Sequence, residues 1–554
     1  MVETLDYNCY EYFINCTRQY GEYDAVERFG QKVKRSELVR HIDCLATYMQ
    51  KEIGLKRGDV YTIFLPTTVQ SFVGFYALNK IGVIVNFVHP LSPPESLKET
   101  MLESGTRGIM IYDLLAKKYI DVINEIGVPC LVCQSSDYAA PVRKAGLQMF
   151  DAGLHISLPK INDREVYSRA VRLYPPSKGV SGNAADLAVY LNGGGTTGKS
   201  KTIKLTSKAI NELAYKIGHI DKVYEPGIEA SIVVLPLFHA FGLCVAVHVV
   251  MCYAGRLIPM MQFDEKRFNK LMKKNKVVFL VGIPGMYKKI MREKHFDGPH
   301  LGNLRLLFCG GDDASQTFLD EFNSYLEKNG ASGRLRQGYG LTEVASVCCA
   351  NTNDIYCPGS IGPALDGVDM EIWDEDHNPL PNGQIGEIVV SGSTMMEGYF
   401  TLDKPDDEGL YADKNGKKWV LSGDLGYRND DGFFFFAGRK KRVIIISGYN
   451  VYPGDIENKL EELPFIREVC AVQGYQEKKP IVRLYVSFRD KGNDEAHKKE
   501  IIETCQKHLS QFSVPREIVV MDELPRTHMK KVDFMSLTEK HPNTKAAEAV
   551  NTAG

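Results

Sequence analysis

The sequence predicts an α/β protein with a large N-terminal domain of several α/β subdomains followed by a small C-terminal α/β domain. Three observations predict it. Helical and strand patterns alternate up to about Asn183, as they do where strands are linked through helices. The 554 residues exceed what one ordinary hydrophobic core organises. The basic run Lys440-Lys441-Arg442 precedes a compact α/β segment of roughly 90 residues, enough for a small domain.

The composition, 44% hydrophobic and 25% charged, is that of a globular protein. A net charge of -2 gives no reason to expect nucleic-acid binding or a basic membrane-docking face. The apolar stretches around 243–254 and 277–283 fall short of the ~20 residues of a membrane span, so no integral membrane association is expected. With no basic-apolar leader at Met1-Val2-Glu3-Thr4, the chain reads as cytoplasmic. The 13 cysteines lack a disulfide rhythm and read as buried thiols, Cys130 and Cys133 included. No repeat of fixed period is present.

In order, an amphipathic helix is expected over about 36–53 with Ser36 as its cap, then a buried strand over 60–65 and a second helix-strand pair ending at 82–86. Residues 135–181 are less regular and read as surface structure. Leu187-Ala188-Val189-Tyr190-Leu191 is an apolar strand leading into Gly193-Gly194-Gly195-Thr196-Thr197-Gly198-Lys199-Ser200-Lys201. Glycines permit close backbone approach, and backbone N–H groups, hydroxyls and lysine suit phosphate oxygens, so this run reads as a polyphosphate cradle.

Gly193, Gly198, Lys199 and Ser200 also satisfy the Walker A pattern, which requires a helix to begin at the Lys-Ser pair. Instead Ile203 and Leu205 alternate with polar residues, a strand signature, and a helix becomes plausible only at Ser207 as cap. The run is therefore expected to join two strands of a hairpin.

Farther on, Leu235-Pro236-Leu237-Phe238-His239-Ala240-Phe241-Gly242 ends a strand and opens an apolar helix. A lone His among aromatics is more often a core residue than a catalyst. Strands over 278–283 and 304–309 end in turns, the first followed by a helix from about Met286 and the second by Gly310-Gly311-Asp312; ligands in α/β proteins gather at such strand ends. Tyr339-Gly340-Leu341-Thr342-Glu343 could by itself be a turn with a capping Thr. Ser422-Gly423-Asp424, with Asp after Gly, could be another turn, the 440–442 run a solvated charge cluster, and Lys530-Lys531 a surface pair. A buried strand is expected after Arg442, ending in a turn at Gly448 before a helix near Asp455.

Taken together the chain resembles the adenylate-forming superfamily of acyl-CoA synthetases, adenylation domains and firefly luciferase. The resemblance rests on the glycine run, with Ser200 and Thr202 in place of the family's Pro and Gly; on Pro236-x-Phe238-His239-x-x-Gly242; on Tyr339-Gly340-x-Thr342-Glu343; on Gly386-Glu387, Gly398-Tyr399 and Ser422-Gly423-Asp424; on Gly438-Arg439; and on Pro525-x-Thr527-x-x-Lys530-Lys531, with Lys530 where the family has Gly. These motifs run in the family's order from about 186 to 533. The Walker reading explains one of them.

The resemblance implies an AMP-binding and acyl-pocket domain over 1–439 and a mobile domain over 440–540 hinged at Lys441; the stretch over 541–554, rich in Ala, Thr and Asn, reads as a disordered tail. It implies that a fatty or aromatic carboxylic acid reacts with ATP to give acyl-AMP and pyrophosphate, and that the acyl group then passes to CoA. The alternative acceptor is a phosphopantetheinyl carrier protein, and the third reading is a non-catalytic nucleotide-binding relative. Thr196, Thr197, Gly198 and Lys201 would hold phosphates; Gly310, Gly311, Asp312, Tyr339 and Gly340 would wall adenine and acyl group; Asp424 and Arg439 would bind ribose.

Thr342 would reach the α-phosphate, Glu343 and Thr196 would hold Mg²⁺, and His239 would line the carboxylate pocket. Lys531, or Lys530 beside it, would be the adenylation lysine, with Gly448 serving the CoA step. Small residues at Gly282, Gly310, Gly311 and Gly340 are expected to leave room for the acid. Gly386-Glu387 and Gly398-Tyr399 are read as mainly structural, and monomer and homodimer stay equally open.

Overall fold

In the computed structural model, residues 6–140, 146, 164–177, 179–180, 182–192, 201–220, 224–293, 296–312, 314–400, 409–446, 449–477, 479–490, 492–527 and 532–539 are described. The chain divides into a larger unit, Met1–Gly193, Lys199–Met370 and Val390–Val420, and a smaller one, Gly194–Gly198, Glu371–Val389 and Leu421–Gly554. Both are mixed α/β.

The larger unit holds two eight-stranded sheets. The first runs Cys349–Ala350, Arg334–Tyr339, Leu306–Cys309, Lys276–Gly282, Glu229–Val233, Arg256–Pro259, Asp24–Arg28 and Gln31–Lys34. Its six inner strands are parallel and its two edge strands antiparallel. The second runs Tyr399–Phe400, Thr202–Thr206, Leu187–Asn192, Ile84–Phe87, Val60–Phe64, Thr106–Tyr112, Cys130–Cys133 and Arg164–Val166. Val60–Phe64 is buried along its whole length, the pattern of a parallel strand covered on both faces.

The helix Val69–Lys80 is likewise buried all round and starts on a Thr68–Ser71 capping box. Its terminal Lys80 is buried against Asp43 (2.5 Å), the Ser177 carbonyl (2.7 Å) and the Tyr10 ring. The charge is tolerated there because it is paired and hydrogen-bonded.

The expected hairpin forms: Leu187–Asn192 and Thr202–Thr206 pair antiparallel, with Asn192 opposite Thr202. Two caps differ from expectation. Helix Arg35–Lys51 has no side-chain cap, and Ser36 lies inside its first turn, donating its N–H to the Glu22 carboxylate at 3.2 Å. Thr206, not Ser207, caps Ser207–Gly218 by accepting from the Ala209 N–H, while the buried Ser207 hydroxyl donates to Asn79 Oδ1. The helix expected near Met286 opens at Pro284, whose missing N–H costs nothing at a first position.

Part of 135–181 is core rather than surface. Arg164–Val166 pairs with Cys130–Cys133, and the buried hydroxyls of Tyr138 and Tyr167 meet at 2.7 Å. All cysteines are free thiols, and all but Cys357 are buried. His248 is buried between Tyr76 Oη and Asn211 Oδ1, each 2.9 Å from a ring nitrogen, and burial holds its imidazole down to about 3.

In the smaller unit the strand Lys418–Arg428, which enters it at 421, pairs antiparallel with Phe434–Arg439. Beyond the short turn of helix Lys440–Arg442 come a two-stranded ladder, Ile444–Ile446 with Tyr449–Val451, the helix Pro453–Glu461, and the sheet Ile466–Gln476, Lys479–Phe488, Glu517–Val520, whose core also takes in the helix Asp494–His508. Ile444, Ile456, Ile466, Val482, Leu484 and Ile501 form its core. The strand expected to be buried after Arg442 is buried on one face only: Ile444 is 1% exposed and Ile445 56%.

Candidate active site

Parallel strands collect their carboxyl ends at one rim of a sheet, and in the first sheet that rim carries most of the residues singled out in sequence. Gly282 stands opposite Cys309, and Cys309 opposite Gln337. The Gly310 N–H donates to the Gly282 carbonyl at 3.1 Å. A side-chain carbon at Gly310 would lie 3.2 Å from the Gly338 carbonyl oxygen and 3.6 Å from the Phe241 ring. Gly311 takes φ +76 beside Ile283, and Asp312 is exposed after it.

Phe241 opens a nine-residue π-helix, Phe241–Val249, a form that clusters at functional sites. Gly242 is required there, since a Cβ would lie 2.1 Å from the Pro236 carbonyl oxygen. That contact explains the spacing of Pro236 and Gly242 and folds the chain at His239. His239 is half-buried, its ring tilted against Phe238 at 4.7 Å, and Phe238 packs on His89 at 4.4 Å. His239, Gly310, Gly311 and Tyr339 thus belong to successive connections at one rim.

Tyr339 ends its strand, and the chain then curls so tightly that a Cβ on Gly340 would stand 1.5 Å from the Ser346 carbonyl oxygen. At Gly282 the corresponding space is taken by Met286 Cε, 2.1 Å away. The expectation that these two glycines leave room for a substrate is corrected: the protein's own atoms fill both places. Thr342–Val344 forms one 3₁₀ turn, followed by Ala345 (φ 59) and Ser346 (φ 124), conformations that cost a non-glycine residue energy and that cluster at functional sites.

Glu343 in that turn is held twice. Its carbonyl accepts from the Met396 N–H at 2.8 Å, and its carboxylate Oε1 accepts from the Tyr399 hydroxyl at 3.0 Å. The Lys201 ammonium lies 4.6 Å from the centre of the same Tyr399 ring. Tyr399, read in sequence as structural, is therefore the residue through which Lys201 and Glu343 are joined. Nothing in the motif signals this, because the link depends on Tyr399 pairing with Ile203 across nearly two hundred residues.

In the smaller unit Asp424 and Arg439 face each other in register, with Arg439 Nε 3.1 Å from Asp424 Oδ1. Asp424 is 4% exposed, whereas the Arg439 side chain is half exposed. Gly423 takes φ +69, and its N–H donates to Glu387 Oε1 at 2.9 Å, while Glu387 Oε2 takes Lys440 at 2.9 Å. Glu387, also read as structural, thus clamps the turn that presents Asp424. Lys440 and Arg442 are paired, the latter with Glu457 at 2.5 Å, and Lys441 is exposed. Burial pushes the Glu457 carboxyl up in spite of Arg442.

Thr196, Thr197, Gly198, Gly448, Lys530 and Lys531 lie outside the described residues. Among the described residues no three or more His, Cys, Asp or Glu side chains come together as a metal cage. A single carboxylate such as Glu343 does not suit zinc, but it fits Mg²⁺ that takes its other ligands from phosphates and water.

Comparison with known proteins bears on the family and the fold. The sequence model of the family described as AMP-binding enzyme matches residues 13–400, and that of the AMP-binding enzyme C-terminal domain matches 455–531. The long-chain-fatty-acid--CoA ligase of Escherichia coli O6:H1 is 27% identical over 537 residues, covering 94% of this chain and 92% of its own. That of Bacillus subtilis is 27% identical over 536 residues, covering 93% and 91%.

Among solved structures, the anthranilate CoA ligase AuaEII in complex with anthranoyl-AMP superposes with a TM-score of 0.82 at 17% identity over 99% of each chain. ATP-bound MatB from Rhodopseudomonas palustris does so with 0.79 at 22% over 98% of this chain and 100% of its own. At these identities the structures share the fold.

Proposed function

The chain belongs to the AMP-binding enzyme family, and from that premise we propose that it is an AMP-forming acid–CoA ligase acting on a carboxylic acid with an apolar body, fatty or aromatic. The observation that carries the reading is the joining of Lys201 and Glu343 through Tyr399, in the unit whose strand ends bring Tyr339, His239 and Gly310 to one rim. Such a rim suits a polyphosphate with an acid beside it.

In the first half-reaction a carboxylate oxygen attacks the α-phosphorus of ATP, the new P–O bond forms, and pyrophosphate leaves with the electrons of the broken bond. Two anions must meet, so the residues' work is to offset charge that builds up at the phosphorus. Thr196, Thr197, Gly198 and Lys201 hold the β- and γ-phosphates, Thr342 donates to the α-phosphate, and Lys531 bridges acid and nucleotide. Tyr339 offers its face to adenine, Asp424 takes the ribose hydroxyls with Arg439, and His239 lines the acid's path. Glu343 and Thr196 would hold Mg²⁺, whose charge shields the phosphates.

In the second half-reaction the CoA sulfur attacks the acyl carbon and AMP leaves. We place the boundary of the mobile part at 440 with the hinge at the exposed Lys441, so that one pocket serves both steps, with Lys531 withdrawn and the Gly448 segment brought in. The curated relatives, named as long-chain-fatty-acid ligases, support a fatty acid. Among the described residues no helix is long and apolar enough to cross a membrane, and we place the enzyme in the cytoplasm.

The test is a panel of C6 to C18 fatty acids and benzoates assayed for acid-dependent pyrophosphate release and CoA-dependent AMP release. Release of AMP that requires both acid and CoA is expected. Acid-dependent ATP–pyrophosphate exchange without CoA-dependent AMP release would move the acceptor away from CoA, and absence of exchange with every acid would refute the ligase.

A further inference from the structure

We propose that Tyr399 is a positioning residue that presets the Glu343 carboxylate and the Lys201 ammonium for metal-bound ATP, governing affinity for the nucleotide–metal pair and not for the acid; this rests on the ATP-dependent reading above. Tyr399 is 8% exposed, and its two functional parts face different partners. The hydroxyl donates to Glu343 Oε1 at 3.0 Å, and the ring lies under Lys201.

The backbone fixes both relationships. Tyr399 pairs with Ile203, the Glu397 N–H donates to the Lys204 carbonyl at 2.9 Å, and the Lys204 N–H donates to the Gly398 carbonyl at 3.1 Å. One segment therefore ties down the strand that Lys201 immediately precedes, while its Met396 N–H holds the Glu343 carbonyl.

The chemistry follows from these contacts. A carboxylate that spends one oxygen on a fixed phenol loses its freedom to rotate, so its orientation is set before a cation arrives. A lysine resting on an aromatic face is confined to that face, which places its ammonium within reach of a phosphate. The backbone past Glu343, at Ala345 and Ser346, is held in unfavourable conformations, which is consistent with a turn whose geometry is dictated by its anchors.

The experiment uses the full chain and titrates ATP calorimetrically without acid or CoA, once in MgCl₂ and once in EDTA. Tyr399→Phe keeps the ring and removes the hydroxyl; it is expected to weaken ATP binding about tenfold in MgCl₂ and to leave the EDTA titration unchanged. Tyr399→Leu is expected to weaken ATP binding about threefold in EDTA as well, through Lys201. KM for the acid stays at the wild-type value in Tyr399→Phe.

Wild-type ATP affinity of Tyr399→Phe in both buffers, or the same loss in both, would overturn the proposal. Should Tyr399→Phe lower thermal stability, the cycle with Glu343→Gln decides: a hydroxyl that acts through Glu343 adds no further loss in the Glu343→Gln background, and full additivity refutes it. A wild-type chain that shows no acid-dependent exchange defeats the ligase reading alone, because the paired titrations still report on Tyr399.

Discussion

Replacing Gly340 by alanine separates two views of the rim, one in which its glycines are space for a substrate and one in which they are space for the chain. The new Cβ would stand 1.5 Å from the Ser346 carbonyl oxygen, 2.5 Å from its carbon and 2.7 Å from Val347 Cα, where ordinary contact begins at 3.4 Å. All three are backbone atoms, so no side chain can swing aside. Opening the curl strains the bonds that close it: the Ser346 N–H to the Leu341 carbonyl at 3.2 Å and the Cys348 N–H to the Tyr339 carbonyl at 3.0 Å.

Losing or stretching both, on top of the overlap, costs about 3–5 kcal/mol. In a unit of this size that corresponds to a fall in Tm of roughly 5 °C. Because Thr342 and Glu343 ride on the same curl, ATP affinity is expected to drop at least about tenfold in a calorimetric titration, with the rank order among acids unchanged. A Gly340→Ala protein that binds ATP normally but shifts its preference toward smaller acids would show that the glycine faces the acid after all.

Three further predictions follow from other parts of the molecule. Lys531→Ala is expected to suppress acyl-AMP formation by about a hundredfold or more while sparing CoA attack on supplied acyl-AMP; equal losses would argue against two uses of one pocket, and an effect confined to Lys530→Ala would move the role by one residue. His248, held down to about 3 by burial, is neutral in the fold and gains a proton on unfolding at any pH between that value and about 6.5. Its contribution is complete above about pH 6.5 and is lost at about 1.4 kcal/mol per pH unit as pH falls below it, so His248→Gln should flatten the acid side of a Tm–pH curve. Arg305 grips the buried Glu229 with both guanidinium ends, at 2.6 and 3.0 Å, and Arg305→Ala should destabilise by about 3 kcal/mol in chemical unfolding, with KM for ATP unaffected.

What sequence reveals here is what depends on neighbours along the chain. Alternation of Ile203 and Leu205 marks a strand where a Walker loop would need a helix, and the ladder from Leu187 to Thr206 confirms it. Gly242 is legible as part of a motif, but its reason, the Pro236 carbonyl, emerges only when a π-helix folds back on the preceding turn. Helix caps lie one or two residues from Ser36 and Ser207, which are good capping types beside others that the backbone selects. Tyr399 and Glu387 escaped because their partners are distant in sequence: Glu343 and Lys201 for one, Gly423 and Lys440 for the other. Side chains that hold other side chains leave no periodic trace.

Glu229, Lys276 and Arg305 meet at the amino ends of three adjacent strands, the rim opposite His239, Gly310 and Tyr339. The same strands are therefore anchored at one end and carry the candidate site at the other. A substitution in the connections after the strands lies about a strand's length from the ion cluster that secures the sheet, so it is expected to leave that anchor intact. For a designer the division is equally useful: sturdiness is sought at the amino rim, and selectivity at the carboxyl rim, with little interference between the two campaigns.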